Sequence, residues 1–223
     1  MTMLRLTWLL LAKDVRIAAR SREVLGFMLL FALLCVVVFA FGFLREGHAA
    51  QDQVPGVLWV TLLFTGTVGL LRLFAPEDEA GNLDLVARTR SGTAPLFWSK
   101  ALLQLLFSGI VTLFLVPIVA VFFDTSLDGL PWIALSLALG LVGQAALGTL
   151  AAALLAQVRL REALLPLVLY PLLAPLVLGG VKVTALALTR APYAAFSGWI
   201  ELMLAFDLVV VVLSPWLFAR VTE

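Results

Sequence analysis

Long apolar runs alternate with short polar segments along most of the chain. A helix that spans a bilayer needs about 20 predominantly apolar residues, because each residue advances the helix by about 1.5 Å. The runs are long enough for this, and they predict an all-α, polytopic membrane protein with six transmembrane helices. The predicted spans are Val24–Leu44, Val54–Leu71, Leu96–Phe123, Leu130–Gln157, Ala163–Val181 and Ser197–Ala219.

The segment before the first span has a different pattern, in which apolar residues recur at helical spacing and cations line the opposite side. This predicts an amphipathic helix over residues 1–23 that lies in the membrane plane, with its cations towards anionic headgroups. The alternative is an extension of the first span, which the cations disfavour. Residues 24–223 then form the six-helix domain. The apolar positions are Leu4, Trp8, Leu11, Val15 and Ala18, and the cations are Lys13, Arg16 and Arg20.

Lysine and arginine residues are distributed unevenly between the two sides that six spans define. Of the 15 lysines and arginines, all but Arg45, Lys182 and Arg190 fall on the side that carries both termini. Loops rich in lysine and arginine stay in the cytoplasm, so both termini are predicted to be cytoplasmic. Lys100 falls just inside the third predicted span, where its long side chain can extend the amine towards the interface.

Composition supports a membrane protein and excludes several other classes. The chain has 63% hydrophobic and 13% charged residues and a mean hydropathy of +1.10, whereas soluble domains are about 45–50% apolar and about 25% charged. The formal net charge is +1, and no basic cluster is interleaved with aromatic residues, so nothing indicates nucleic-acid binding. Cys35 is the single cysteine, which excludes a disulfide within the chain.

The longest predicted cytoplasmic connection, residues 75–95, has the features of a short helix. Acidic residues precede it and arginines follow it, which suits the helix dipole. Leu83, Val86 and Ala87 would give the helix a small apolar face. A cytoplasmic apolar face needs a partner, and that partner is either the membrane domain of the same chain or another protein.

Three stretches of the sequence carry motifs. They are Pro55-Gly56-Val57-Leu58-Trp59-Val60 with Leu71-Arg72-Leu73-Phe74 in the second span, Glu77-Asp78-Glu79-Ala80-Gly81-Asn82-Leu83-Asp84 in the cytoplasmic connection, and the proline-rich run from Leu165-Pro166 to Pro175 in the fifth span. In this order they resemble the CcmB family, the haem exporter B proteins of cytochrome c biogenesis. The chain departs from the family pattern after Val86, where it is more polar.

The resemblance implies an ABC-2-like permease subunit of an ABC-type complex in a bacterial inner (cytoplasmic) membrane. It implies a separate ATPase subunit, CcmA, the haem-handling proteins CcmC and CcmD, and a chaperone, CcmE, whose haem-loaded form is released. The chain itself would not be an enzyme, and the sequence has no G-x-x-x-x-G-K-[ST] phosphate loop. Haem would be transported or handled, and ATP would act through the partner. The ATPase-coupling segment would include Glu77, Asp78, Gly81, Leu83, Asp84, Val86 and Arg88.

Two acidic residues fall in the sixth predicted span, where burial of a charge costs at least about 2.5 kcal/mol. Asp207 lies ten residues beyond Ser197, which is about 15 Å into the membrane. It is a candidate polar contact in a pathway or a moving interface, or a structural hydrogen-bonding group. Glu201 is closer to the surface and is more simply an interfacial acid near Lys182 or Arg190.

Other features favour structural readings. His48 is the only histidine and falls in an outer loop, where a solvated side chain is a simpler interpretation than a haem ligand. Pro166, Pro171 and Pro175 each remove a helix hydrogen bond and predict a bent or broken fifth span. Small residues at four-residue spacing in the fourth span permit close helix packing, either within the chain or across a homodimer. They are Ala145, Thr149 and Ala153, and Gly148, Ala152 and Ala156.

Two alternatives to haem handling stay open on the sequence. One is a permease of the same build that exports a drug, a lipid or a polysaccharide. The other is a membrane scaffold that transports nothing and transmits the motion of an ATPase, which the lack of a polar stripe along most spans favours.

Overall fold

A computed structural model describes residues 3–21, 23–45, 48–49, 51–74, 93–126, 128–156, 158 and 160–221. Six helices in these ranges are long and apolar enough to cross a membrane, which confirms the predicted all-α fold with six spans. The helices are α1 (Met3–Ser21), α2 (Glu23–Gly42), α3 (Val54–Arg72), α4 (Thr93–Phe122), α5 (Leu130–Leu154), α6 (Arg161–Leu188) and α7 (Ser197–Val221). Leu44–Arg45 (β1) and His48–Ala49 (β2) form a short antiparallel pair between α2 and α3.

The spans differ in how deeply they lie in the bundle. About 67% of the most apolar part of α3 and of α5 is buried, compared with 22–33% for the other four spans. Helices α3 and α5 therefore form the interior. Helix α5 packs on α6 and α7, α3 packs on α2, α4 and α6, and α1 packs along α4.

Helix α6 differs most from its prediction. The prolines predict a bent or broken helix, and its continuity over Arg161–Leu188 excludes the break, whereas the bend stays a prediction. The helix also extends beyond the predicted end at Val181. Pro171 and Pro175 lie on its exposed side. The opposite side is held by a fully packed stripe, and this packing keeps the helix intact despite the lost backbone hydrogen bonds. The stripe consists of Leu165, Leu169, Leu173 and Leu176.

Trp59 of the P-G-x-L-W motif shows how glycines bring the spans together. Its ring lies against Gly140 of α5 and Gly180 of α6, where a Cβ atom on either glycine would overlap the ring. The indole Nε1 donates a hydrogen bond of 3.0 Å to Thr184 Oγ1 of α6. Because the indole is fully buried, this bond satisfies a donor that would otherwise be costly in the membrane interior.

Two buried glutamines join spans through backbone carbonyls. Gln104 Nε2 of α4 donates to Gly66 O of α3 at 2.9 Å, and Gln144 Nε2 of α5 donates to Leu63 O of α3 at 3.1 Å. A Cβ on Gly66 would overlap the Gln144 side chain. Side-chain hydrogen bonds between helices contribute about 0.6 kcal/mol each on average in membrane proteins, so their main effect is to fix the register of α3.

The small-residue stripes of α5 face the inside of the chain. Ala145, Gly148, Thr149 and Ala152 are buried, and the Leu70 side chain of α3 lies directly on Gly148. Of the two readings open on the sequence, the structure therefore supports packing within the chain for these residues.

The bundle has two distinct ends. One end, which we call the terminal face, carries the start of α4 and α6 and the end of α1, α3 and α7. These helix ends are Thr93, Arg161, Ser21, Arg72 and Val221. The opposite end, the loop face, carries the turns that follow α2, α4 and α6, and these turns are linked to one another. There, Gln51 Nε2 donates to Asp124 O at 2.6 Å.

Candidate functional site

The predicted coupling residues lie outside the described part of the chain. Glu77, Asp78, Gly81, Leu83, Asp84, Val86 and Arg88 all fall within 75–92, so their role stays a prediction. The structure describes the two points where this connection leaves and rejoins the bundle. These are the turn at Leu73 and Phe74, directly after α3, and the start of α4 at Thr93.

A buried aromatic cluster lies at this junction. The Phe74 ring stacks on Phe218 of α7 with a centroid separation of 6.5 Å, and Phe218 also packs on Phe97 of α4 at 5.5 Å. Trp98 meets Phe97 edge to face at 5.4 Å. Aromatic pairs of this kind add about 0.5–1.5 kcal/mol beyond the area that they bury. The cluster therefore joins α3, α4 and α7 directly beneath the connection.

A buried ion pair adds α1 to the same junction. Lys100 Nζ lies 3.0 Å from Asp14 Oδ2, with both side chains no more than 3% exposed, whereas Lys13, whose Nζ lies 3.1 Å from Oδ1, is 47% exposed. The distances define an ion pair, although the Asp14 oxygens make no hydrogen bond of standard geometry within the described ranges. Lys100 Nζ also lies 5.7 Å from the Phe74 ring centroid, a favourable cation–π separation.

This position corrects the sequence interpretation of Lys100. Its amine does not extend to the interface but is fully buried between α1, α3 and α4. The sequence signal that could have revealed this is Asp14, the single acid in an otherwise cationic helix. A small cavity of about 80 Å³ lies beside the pair, and Arg72 also lines it.

Helix α1 contacts the bundle with only part of its predicted apolar face. Leu11, Val15 and Ala18 pack against the core, whereas Leu4 and Trp8 are exposed. The packed side thus makes protein contacts, and the position of α1 in the membrane plane stays a prediction.

Asp207 of α7 is the buried acid in the middle of a span. It is 6% exposed, and its Oδ1 lies against Gly143 of α5, where an added Cβ would overlap it. Within the described residues, neither carboxylate oxygen has a hydrogen-bond partner. A buried polar group without a partner destabilises a fold, so Asp207 has no evident stabilising role in this conformation.

Glu201 differs from Asp207 in its surroundings. It is exposed, as expected for an interfacial acid, and so is Lys182. Arg190 pairs with Asp128 at 2.5 Å rather than with Glu201. The expected proximity of Glu201 to Arg190 is therefore not supported by an ion pair.

The Asp128–Arg190 pair links two turns of the loop face outside the spans. Hydrogen bonds from the Arg190 guanidinium and the Ser126 hydroxyl lower the pKa of Asp128 below its ordinary value. The same contact raises the pKa of Arg190. Nearby, the Trp132, Tyr193 and Phe196 rings pack together with centroid separations of 5.0–5.6 Å, so this face is tied by charge and by aromatic contacts.

No metal centre is evident in the part of the chain that the structure describes, where no group of three or more His, Cys, Asp or Glu residues comes together. His48 pairs with Arg45 through the backbone of β1 and β2. Its proposed solvation stays a prediction.

Six apolar helices with buried polar links between them define a polytopic helical membrane protein. The family model described as "CcmB protein" matches residues 5–223. The chain belongs to the CcmB family, as its motifs predict.

Several relatives carry the name "Heme exporter protein B". The protein from Paracoccus denitrificans is 33% identical over 178 residues, covering 78% of this chain and 79% of the relative. The protein from Rhodobacter capsulatus is 31% identical over 173 residues, with the same coverage of 78% and 79%. The protein from Pseudomonas aeruginosa is 29% identical over 210 residues, covering 85% and 94%.

Proposed function

We propose that this protein is the membrane subunit of an ABC-type haem exporter that acts in cytochrome c maturation in a bacterial inner membrane. The match to the CcmB family over residues 5–223 carries this proposal, together with the name of its relatives. The subunit itself is not catalytic. ATP is hydrolysed by a separate CcmA-like subunit, since this chain has no phosphate-binding loop of its own.

The coupling segment 75–95 binds the ATPase on the cytoplasmic side, where both termini also lie. The excess of lysine and arginine on the terminal face supports this orientation. Movement of the segment enters the bundle at Phe74, which contacts α7 through Phe218 and α4 through Lys100. From Lys100 it reaches α1 through Asp14.

The further partners are CcmC-like and CcmD-like haem-handling proteins and a CcmE-like chaperone. ATP hydrolysis by the complex drives release of the haem-loaded chaperone. Haem is the handled ligand, and no residue of this chain is assigned to its iron.

Transmission of motion without conduction is the second candidate, and the size of the inner cavities favours it. The cavities that we describe between the packed spans hold about 10, 80 and 10 Å³, whereas small-molecule sites hold about 300–1,000 Å³. Haem does not fit any of these three in this conformation. A scaffold that passes ATPase motion to a haem-handling neighbour needs no such space.

Affinity purification of the tagged protein from its native membrane tests the proposal. The wild type should recover an ATPase and haem-handling membrane proteins, with haem absorbance in the same sample. Leu83→Asp should abolish recovery of the ATPase, because it places a charge on the apolar face of the coupling segment. Leu130→Asp, the same exchange on the loop face, is the matched control and should retain it.

Two results would contradict the proposal. Recovery of an ATPase without haem or haem-handling proteins would indicate a permease for another substrate. Undiminished recovery of the ATPase by Leu83→Asp would show that segment 75–95 is not the coupling contact.

A further inference from the structure

A large lateral groove lies between α1 and α4, on the outside of the bundle. It holds about 1000 Å³ and is lined by one face of α1 from Trp8 to Ala19 and one face of α4 from Leu102 to Leu113. Every side chain of the lining is apolar except that of Arg16. An apolar groove of this size that opens sideways from a membrane-spanning helix needs an apolar occupant.

We propose that this groove binds one phospholipid with an anionic headgroup, its acyl chains along α4 and its phosphate at Arg16. The proposal is independent of haem export, since it uses neither the coupling segment nor any partner protein.

The length of the groove fits the chains of a lipid in one leaflet. From Leu102 to Leu113, α4 rises by about 16 Å. The hydrocarbon core of a bilayer is about 30 Å thick, so each leaflet contributes about 15 Å. Phe122, the last residue of α4, lies at the loop face, and a distance of about 30 Å measured back from it along the helix reaches Leu102. The groove therefore covers the half of this distance that lies towards the terminal face.

The charge lies at the correct end for a headgroup. Asp14 contacts Lys100, and Arg16 lies two residues after Asp14 on α1. Arg16 is therefore at about the same depth in the membrane as Lys100. Asp14, the acid of α1, is already engaged by Lys100 and Lys13. In the described ranges, no acid forms an ion pair with Arg16, which is an exposed residue. A cation at the groove entrance attracts an anionic lipid over a zwitterionic one.

Haem is the other amphipathic molecule to consider, and the lining disfavours it. The described lining contains no His, Cys, Met or Tyr, the residues that ligate haem iron in proteins. Acyl chains need no such ligand, so the lining matches a lipid.

A large side chain at Gly109 would fill the groove. Gly109 lines the groove, and a Cβ at this position would meet nothing within 4 Å. Gly109→Leu therefore occupies the space without forcing the helices apart. Gly26→Leu is the matched control, because Gly26 of α2 is equally open but lies elsewhere. Arg16→Gln removes the charge, and Arg5→Gln does so on α1 outside the groove.

Native mass spectrometry of the full chain in detergent, with equimolar phosphatidylglycerol and phosphatidylcholine, measures the retained lipid. The wild type should retain one lipid molecule, and this should be phosphatidylglycerol in preference to phosphatidylcholine. Gly109→Leu should lose this lipid, and Gly26→Leu should keep it. Arg16→Gln should reduce the preference for phosphatidylglycerol about fivefold, as expected for one cation near the membrane surface, whereas Arg5→Gln should not.

Other outcomes would overturn the assignment. Wild-type retention by Gly109→Leu would show that lipid does not occupy this groove, and equal effects of Arg16→Gln and Arg5→Gln would remove the headgroup contact. If Gly109→Leu instead converts a dimer to a monomer with unchanged lipid, the groove holds a second copy of the chain. If added hemin is retained by the wild type and lost from Gly109→Leu, the occupant is haem.

Discussion

Lys100→Met tests whether the ion pair with Asp14 fixes α1 on the bundle. Methionine is unbranched and similar in length to lysine, so the substitution removes the charge with little change in shape. Asp14 then stays buried, and of its two ion pairs described above it keeps the one with the partly exposed Lys13. The expected result is a large loss of stability from a single residue.

The magnitude follows from the burial of both partners. Removing one member of a buried pair costs about 3–5 kcal/mol, because the other charge is left uncompensated. Lys13 remains 3.1 Å from Asp14 Oδ1 and offsets part of this cost, so Lys100→Met should lower the free energy of unfolding by about 3 kcal/mol. Asp14→Leu should have a similar effect, since it leaves Lys100 buried beside Phe74.

The double substitution distinguishes an ion pair from two independent contacts. Replacement of a buried pair by apolar side chains is often neutral, so the double variant should unfold within about 1 kcal/mol of the wild type. With two single losses of about 3 kcal/mol each, the coupling energy should then be about 5–7 kcal/mol in magnitude, above the 0.5–3 kcal/mol usual for residues in contact. Lys182→Met, the same exchange at an exposed lysine, is the control and should change stability by less than about 0.5 kcal/mol.

Reversible unfolding by SDS in mixed micelles, followed by circular dichroism, measures these differences. If the double variant loses the sum of the two single effects, the residues act independently and the pair does not hold α1. If Lys100→Met loses no more than Lys182→Met, Lys100 is not buried in the membrane-embedded protein.

Three further variants probe other contacts. Gly180→Leu should destabilise the bundle by about 1–3 kcal/mol or more in the same assay, because the added side chain overlaps Trp59; an unchanged unfolding curve would contradict this packing. Asp207→Leu should leave stability unchanged or increased, because it removes a buried carboxylate without a described partner, while haem absorbance of the purified complex falls; a clear loss of stability would indicate a structural role. The pKa of Asp128 is lowered by Arg190, so this pair stabilises the protein above the ordinary pKa of an aspartate and the contribution is lost as pH falls through the lowered value. In a plot of unfolding free energy against pH, Asp128→Asn should therefore show a smaller decrease at acid pH than the wild type. An equal decrease in the two proteins would show that the pair contributes nothing.

The spans could be predicted because hydropathy is a property of consecutive residues. The predicted start of the second span at Val54 and that of the sixth at Ser197 coincide with α3 and α7. Val54 follows the polar residues Gln51, Asp52 and Gln53, and the sixth span begins with Ser197 and Gly198, so each start has a local signal. The end of the fifth span was wrong because Lys182 suggested a boundary, whereas α6 continues past it with Val183, Thr184 and Ala187 buried on the opposite side.

Contacts between distant residues left no comparable signal. Asp14 stands out as the single acid of α1, but it is far from Lys100 in sequence and nothing identifies Lys100 as its partner. The two glycines that accept Trp59 lie on different helices, and nothing in the spacing of Gly140 and Gly180 connects them to the P-G-x-L-W motif. Such pairs depend on how the spans are arranged, which hydropathy does not specify.

Asp14 and Asp207, the two buried acids among the described residues, differ in a way that bears on function. Asp14 lies near the terminal face and has a buried cation within 3.0 Å, so its charge is compensated where the long connection meets the bundle. Asp207 lies about 15 Å along α7 from Ser197, and neither oxygen has a partner among the described residues.

A bundle with a single fixed conformation gains nothing from an acid in the position of Asp207, because an apolar residue would pack there without the desolvation cost. Oδ1 of Asp207 lies against Gly143 of α5, so a displacement of α7 relative to α5 would change the surroundings of the carboxylate. Phe218 lies on the same helix and contacts Phe74 at the base of the coupling segment. Motion that enters at Phe74 would therefore reach Asp207 through α7. This position favours a role for Asp207 during conformational change over a role in stabilising the conformation described here.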